Sequence, residues 1–392
     1  MENPSKTPNP FLKIEEIQGK GRSLIATQPL KPGQIILRDT PLLLYPASPF
    51  NNKFCSNCFR IIQCSHIPCP SCPYAFFCSA NCQSKSISTS HTPWVCQSLS
   101  GMINSLHFPK LSVDQQVEAL FLVAAYNLAV VSPSSFRVLL FLQGDWGGSV
   151  VSEAGVDFLH SVVGSCPNMN VGEFGFSKEL TAALLAKDKV NAFGLMEPFD
   201  PDRGSGERGV RAYGIYPMAS FFNHDCLPNA CRFEYVDSDG DSMSNTDIVV
   251  RVLHDVPEGR EICLSYFPVN FKYFERQKRL KEDYGFTCKC DRCVVEANWS
   301  DQEEEDAMDK EGEGSGEEED EAMEEDMDDE ENVNVEVEEG DQDFPHAYFF
   351  LRYMCNRENC GGTLAPLPPS DASPSTVMEC NVCGNLSKSD EL

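Results

Sequence analysis

The sequence predicts an α+β protein, and three features predict it. Residues 11–45 and 190–266 are rich in β-branched residues and broken by turn signals, as strands are. Residues 98–188 between them carry apolar runs of helical length. Cysteines cluster near residues 55–96, 288–293 and 355–383, and the first of these segments has too few aliphatic residues to fold on a core of its own. At 392 residues the chain has room for one sizeable core and one or two small modules.

Taken in order, residues 24–26 and 34–44 read as strands separated by a Lys31-Pro32-Gly33 turn. Just ahead lies Gly19-Lys20-Gly21-Arg22, where two glycines let a ligand approach the backbone and Lys20 and Arg22 offer donors; an ordinary β-turn has the same composition. Residues 117–131 and 136–143 read as buried helices divided by Ser132-Pro133-Ser134, and Ser177 caps a further helix running through Leu184-Leu185. His107, His160 and Cys166 have no spaced partner and are assigned to structure. Strand pattern returns at Asn191, and residues 206–209 read as a surface loop. Further strands are expected at 219–222, 231–236, 248–253 and 261–266, with a turn at Pro257-Glu258-Gly259. The Asp237-Ser238-Asp239-Gly240-Asp241 run imitates a calcium loop, but Ser242 and Ile248 stand where that loop needs Gly and Glu, so it is a hairpin loop.

The formal charge of −29 belongs to one place. Residues 301–343 hold 25 acidic side chains and one lysine, or −24, which leaves about −5 for the rest. That stretch has no material for a core and is expected to be a disordered linker; attraction to a basic partner is the other use for such a charge run. The acidity gives the folded part no means of binding nucleic acid electrostatically. Residues 1–6 lack the regions of a secretory signal, and the longest apolar run, 119–131, contains Asn127 and is too short for a bilayer. An intracellular protein is expected, and nineteen cysteines there argue for zinc rather than disulfides.

The spacing groups those cysteines. Cys55-x2-Cys58, Cys69-x2-Cys72, Cys78-x3-Cys82 and His91-x4-Cys96 make eight ligands, enough for two tetrahedral zinc sites. Interleaved pairing puts Cys55, Cys58, Cys78 and Cys82 on one ion and Cys69, Cys72, His91 and Cys96 on the other, with Cys64 and His66 spare. Cys355-x4-Cys360 and Cys380-x2-Cys383 form a second set of zinc-ribbon type, preceded by a helix expected at 344–354; a frayed, redox-inert tail is the alternative. Cys288-x-Cys290-x2-Cys293 offers three thiolates, one short of a closed site.

The missing ligand points to the densest stretch in the chain, Phe221-Phe222-Asn223-His224-Asp225-Cys226-Leu227-Pro228-Asn229. Neither a core strand nor an ordinary turn requires two amides, an imidazole and a thiol so close together. Asn223 and His224 can bind a polar ligand, Pro228 with Asn229 sets the turn, and Cys226 can complete the site begun by Cys288, Cys290 and Cys293. Fifteen cysteines are then ligands, leaving Cys64, Cys166, Cys231 and Cys263 over.

In this order, Gly19-Lys20-Gly21, the finger cysteines, Asn223-His224-x-Cys226-x-Pro228-Asn229 and Glu261-Ile262-x-x-Ser265-Tyr266 before Cys288-x-Cys290-x2-Cys293 resemble the SET-domain lysine methyltransferases that carry an inserted MYND finger. The layout is most similar to plant ASH-related SET proteins. The family's usual last finger pair is His-x3-Cys, one residue shorter than here, and its usual helical-repeat domain is missing or reduced to a stub. The resemblance implies a β-rich SET domain interrupted by a MYND zinc finger and a helical insert, then a post-SET zinc segment and a zinc-ribbon-like module. The implied divisions are 11–54, 55–96, 97–189, 190–270, 271–300, 301–343 and 344–392.

It also implies S-adenosylmethionine bound at Lys20, Gly21, Asn191, Asn223, His224, Tyr266 and Phe286, with Phe286 covering the adenine and walling a lysine channel. SET domains tuck the segment after Asn223 into a pseudoknot, among the few exceptions to unthreaded connectivity. Tyr266 is the expected catalytic residue, aligning a neutral lysine amine for in-line attack. About four zinc ions, a histone tail or other protein lysine as substrate, a proline-containing peptide at the finger, no membrane or nucleic-acid partner, and a nuclear or cytoplasmic location complete the expectation. The alternative function is a catalytically idle scaffold in transcriptional complexes.

Overall fold

A computed structural model of the chain describes residues 9–49, 53–63, 66–144, 152–166, 172–201, 208–238, 244–298, 346–369 and 375–388. The acidic stretch expected to be disordered, Cys64, and part of each of the two surface loops expected at 206–209 and 237–241 lie outside them. The fold is α+β, built from small sheets around one main core.

Leu12–Ile17 and Gly21–Ala26 form an antiparallel hairpin whose turn puts Gly19 and Gly21 at φ 80° and 75°, a conformation that favours glycine. Ile35–Asp39, Ile248–Val252 and Ala230–Glu234 make one three-stranded antiparallel sheet with Ile248–Val252 in the centre. Every residue of that strand is buried, as expected for Ile248, Val249, Val250 and Val252, and the one charged member, Arg251, is buried with them. Ile248, Val250 and Val252 face the main core, whereas Val249 faces a second core shared with the C-terminal module. Leu43–Pro46, Val210–Ile215 and Ala192–Met196 form another antiparallel sheet.

The helical insert is organised around Val113–Val131, which Ser112 and Gln115 close with a reciprocal capping box. Asn127, the polar residue in its apolar run, accepts from Thr92 Oγ1 at 2.8 Å and donates to the Thr89 carbonyl at 2.6 Å. It thereby ties the insert to the finger. Lys178–Asn191 starts on the Ser177 cap, as the sequence suggests, and runs directly into the strand Ala192–Met196. Among the described residues no helix is long and apolar enough to cross a membrane.

Several element boundaries differ from the sequence reading, each for a local reason. The strand expected at 219–222 is a 3-10 turn, Ala219–Phe221, because the Met218 and Ala219 N–H groups both donate to Asp39 Oδ2 at 2.8 Å. The strand expected at 34–44 divides into Ile35–Asp39 and Leu43–Pro46, separated where Pro41 has no N–H for a ladder, and its halves enter different sheets. The helix expected at 136–143 is Pro133–Phe141, with Pro133 at its first turn, where its missing N–H costs nothing. The strand expected at 261–266 shrinks to Cys263–Leu264, which pairs in parallel with Asn223–His224. The Asn229 side chain substitutes for backbone there: Oδ1 accepts from the Cys263 N–H at 2.9 Å and Nδ2 donates to the Glu261 carbonyl at 2.8 Å.

The C-terminal module is part of the fold. Helix Ala347–Tyr353 and the strands Leu364–Pro366, Val377–Cys380 and Leu386–Lys388 lay Phe349, Tyr353, Leu364 and Met378 against Phe233, Val249 and Leu253. Each such side chain contributes about 1.5–3 kcal/mol by leaving water. Arg251, fully buried, donates to Glu379 Oε2 at 2.6 Å and lies 3.5 Å from the Phe233 ring centroid. At the module's other side the Arg292 guanidinium sits 4.7 Å over the Phe350 ring. Gly33 is pressed just as closely: a Cβ there would lie 2.2 Å from the Leu367 carbonyl oxygen.

Candidate active site and metal centres

The parallel pair Asn223–His224 and Cys263–Leu264 brings the two densest motifs side by side. Tyr266 follows directly, and its backbone N–H donates to His224 Nδ1 at 3.2 Å while its hydroxyl donates to the Phe222 carbonyl at 2.9 Å. The His224 proton is therefore on Nε2, which faces Cys226 Sγ at 3.2 Å. Burial pushes the imidazole down to about 3, so it is neutral. The His224 ring links Tyr266 to the cysteine cluster, and both its nitrogens are occupied in doing so. Burial also holds the Tyr266 phenol well above its ordinary value, assisted by Tyr284, whose ring lies 4.8 Å from it. The phenol stays protonated.

Lys20 and Asn223 meet on Glu261. Lys20 Nζ reaches Glu261 Oε2 at 2.5 Å, and Asn223 Nδ2 donates to Glu261 Oε1 at 2.9 Å and to Ser23 Oγ at 2.7 Å. Burial works against the Glu261 charge, but the bonds from Lys20 and Asn223 outweigh it and keep the carboxyl below its ordinary range. Lys20, Asp225, Asn229, Glu261 and Cys263 wall a cavity of about 310 Å³. Gly21 takes its left-handed conformation one residue on.

Asn191 is placed differently from the other expected ligands. It is buried, and its amide donates to the Gln143 and Lys187 carbonyls, both at 2.7 Å. Gln143 Oε1 in turn accepts from Arg22 at 3.3 Å, and Arg22 also donates to the Phe141 carbonyl and stacks 4.4 Å over the Phe141 ring. Asn191 and Arg22 thus meet at the end of the insert. Phe286 is half-buried and follows Gly285, the left-handed residue that ends helix Tyr273–Tyr284.

Among the described residues, fifteen cysteines and His91 gather into four sets, each with ligand atoms within 4.8 Å of one another. They are Cys55, Cys58, Cys78 and Cys82; Cys69, Cys72, His91 and Cys96; Cys226, Cys288, Cys290 and Cys293; and Cys355, Cys360, Cys380 and Cys383. Four thiolates at ~2.3 Å from a tetrahedral zinc lie ~3.8 Å apart. The contacts Cys58–Cys78 at 3.7 Å, Cys69–Cys96 at 3.9 Å, Cys226–Cys288 at 3.9 Å and Cys355–Cys383 at 3.7 Å fit that spacing.

The third set carries a feature that spacing rules do not mark. Arg276, fully buried, donates to Cys226 Sγ at 3.3 Å and Cys293 Sγ at 3.6 Å, and to Glu296 Oε2 at 2.6 Å. Glu296 also takes Arg292 at 2.6 Å, and Arg292 donates to the Val269 carbonyl at 2.6 Å. A tetrathiolate zinc site carries a net charge of about −2, so the Arg276 guanidinium offsets part of it. Sequence reasoning named neither this arginine pair nor Tyr284.

A SET domain model matches residues 21–267. The chain is 53% identical to the histone-lysine N-methyltransferase ASHR2 of Arabidopsis thaliana, over 98% of this chain and 97% of that one. It is 24% identical to the human histone-lysine N-methyltransferase SMYD3, over 73% of this chain and 62% of that one. A solved structure, the SET domain of LSMT bound to lysine and AdoHcy, shares 14% identity over 72% of this chain and 54% of its own, and its TM-score of 0.31 is too low to carry an argument. The domain match and the near full-length relative place the chain in the SET-domain family of protein-lysine methyltransferases.

Proposed function

We propose that this chain transfers methyl groups from S-adenosylmethionine to a lysine side chain of a protein, in a SET-type site centred on Tyr266. The observation that carries the reading is the convergence of Asn223, His224 and Tyr266 through the parallel pair, with Tyr284 against Tyr266. Its 53% identity to the Arabidopsis histone-lysine N-methyltransferase along almost the whole chain supports it. The idle-scaffold alternative finds no support in these relatives.

The cofactor supplies an electrophilic methyl on a sulfonium. The chain's residues must then hold it and present a neutral amine. Lys20 spends one of its three N–H bonds on Glu261, leaving donors for a ligand carboxylate or hydroxyl, and the walls of the neighbouring cavity are polar enough for such a molecule. A free lysine has a pKa of about 10.4. Burial among Tyr266 and Tyr284, facing a cationic sulfonium, disfavours its ammonium form. The Tyr266 hydroxyl, already donating to the Phe222 carbonyl, accepts from the amine and aligns it. It is no general base, because its proton is committed and its burial disfavours the phenolate.

Zinc fits all four thiolate-rich sets; two would make the 55–96 segment a MYND-type finger, the third would hold the post-SET helix beside His224, and the fourth would fold the ribbon. A histone tail or other lysine-bearing protein is the substrate class, with a nuclear or cytoplasmic site of action. A proline-containing peptide at the finger is the further partner, beside a cavity of about 100 Å³ that Tyr74 helps to line.

Tyr266→Phe and, separately, Asn223→Ala should each lower tritiated methyl incorporation into histones by at least about 100-fold, while calorimetry shows S-adenosylmethionine still binding the first variant. Full incorporation by both variants would refute the placement of the centre.

A further inference from the structure

We infer that Glu261 is a positioning residue: its carboxylate fixes the Lys20 ammonium and the Asn223 carboxamide in one arrangement, so that Asn223 presents its carbonyl oxygen, and not its amide hydrogens, to the cofactor. The inference rests on the function proposed above and assigns a part to Glu261, whose carboxylate borders the cavity and holds both groups.

Asn223 Nδ2 has two hydrogens, and both are used, one on Glu261 Oε1 at 2.9 Å and one on Ser23 Oγ at 2.7 Å. Ser23 is fully buried and only 11% of the Glu261 side chain is exposed, so neither acceptor is free to turn away. The carboxamide cannot flip without putting its oxygen against a carboxylate, which is repulsive. What remains for a ligand is Oδ1, an acceptor. Glu261 Oε2 meanwhile holds Lys20 Nζ at 2.5 Å, and the half-exposed Lys20 side chain borders the 310 Å³ cavity. The carboxylate itself is anchored through its own backbone: the Glu261 carbonyl accepts from Asn229, and Glu261 bridges to Ile25 of the N-terminal hairpin. One acidic side chain therefore sets the relative position of two motifs that are 203 residues apart in the sequence.

The test measures S-adenosylmethionine binding by calorimetry on the full-length, zinc-loaded protein. Glu261→Gln should raise Kd about 10- to 100-fold, the loss of a charge-assisted hydrogen bond, and raise KM for the cofactor far more than it lowers kcat. Asn223→Asp, which places a carboxylate against Glu261, should weaken binding at least as much. Combining Asn223→Asp with Glu261→Gln reverses the polarity of the bond and should regain about tenfold of the affinity lost in Asn223→Asp alone. Losses that multiply in the double variant, or a Glu261→Gln protein with wild-type Kd, would overturn the inference. The single Asn223→Asp variant and its double keep the comparison available if Glu261→Gln alone does not fold. Failure of the wild-type chain to bind S-adenosylmethionine at all would remove the proposed function first, and this inference with it.

Discussion

Arg276→Met is the substitution that asks most of the third cysteine set. The methionine fills much of the same volume but removes donors to Cys226, Cys293, Glu296 and the Phe271 carbonyl. Glu296 would keep Arg292 as its described cation, and the thiolate set would lose the buried cation that touches two of its sulfurs. Breaking a buried ion pair by deleting one partner costs about 3–5 kcal/mol. At roughly 2 °C per kcal/mol that is a fall in Tm of about 6–10 °C. Loss of a partner hydrogen-bonded to metal ligands lowers metal affinity about 10- to 100-fold. Thermal unfolding of the zinc-loaded protein and competition against a chromophoric chelator measure the two effects. Arg276→Lys, which keeps the charge but not the planar fork, should fall between the wild type and Arg276→Met. A variant with the wild-type Tm and the wild-type rate of zinc release would refute the idea that Arg276 stabilises the set.

Two further outcomes are expected. Asp188, buried and bound by the Tyr45 hydroxyl at 2.5 Å, is pushed up by burial to about 7. Its folded pKa lies above the unfolded one, so ionisation costs stability above pH 7, and this cost is relieved as pH falls through 7 toward about 4. Asp188→Asn should therefore flatten the rise in stability as pH falls from 7 to about 5, by at most ~1.4 kcal/mol per pH unit, in denaturant melts; an unchanged slope would show that Asp188 does not titrate there. Cys226→Ala should bind one zinc fewer in native mass spectrometry and hold S-adenosylmethionine more weakly, because His224 loses its sulfur neighbour and helix Tyr273–Tyr284 its tie to the strand pair. Unchanged affinity in that protein would show that Cys226 has no part in shaping the cofactor site.

The metal sets were legible because ligand spacing is a local property: two cysteines a few residues apart must meet on one ion or on none. Helix Lys178–Asn191 was legible for the same reason, from Ser177 and the apolar spacing after it. Glu261, Arg276 and Asn229 were not, since each acts on a residue far away in sequence and none has a spacing partner. Asn229 looked like a turn residue because of Pro228, yet its carboxamide replaces a missing ladder contact at Cys263. The strand reading of 219–222 failed on a side chain from elsewhere, as Asp39 captures two N–H groups that a strand would have used. Hydrophobic pattern also cannot say which face of Ile248–Val252 meets which partner, because both faces are buried.

The seating of the C-terminal module brings together the helices on either side of the acidic stretch. Helix Asp291–Glu296 enters it and helix Ala347–Tyr353 leaves it, with Arg292 stacked on Phe350 between them. The Arg251–Glu379 pair and the shared apolar core hold ribbon to sheet without help from the covalent connection. A chain severed between these anchors would therefore remain one particle, a pair of fragments joined by a buried interface. Sequence drift, insertion or cleavage at that point is thereby separated from the geometry around Tyr266.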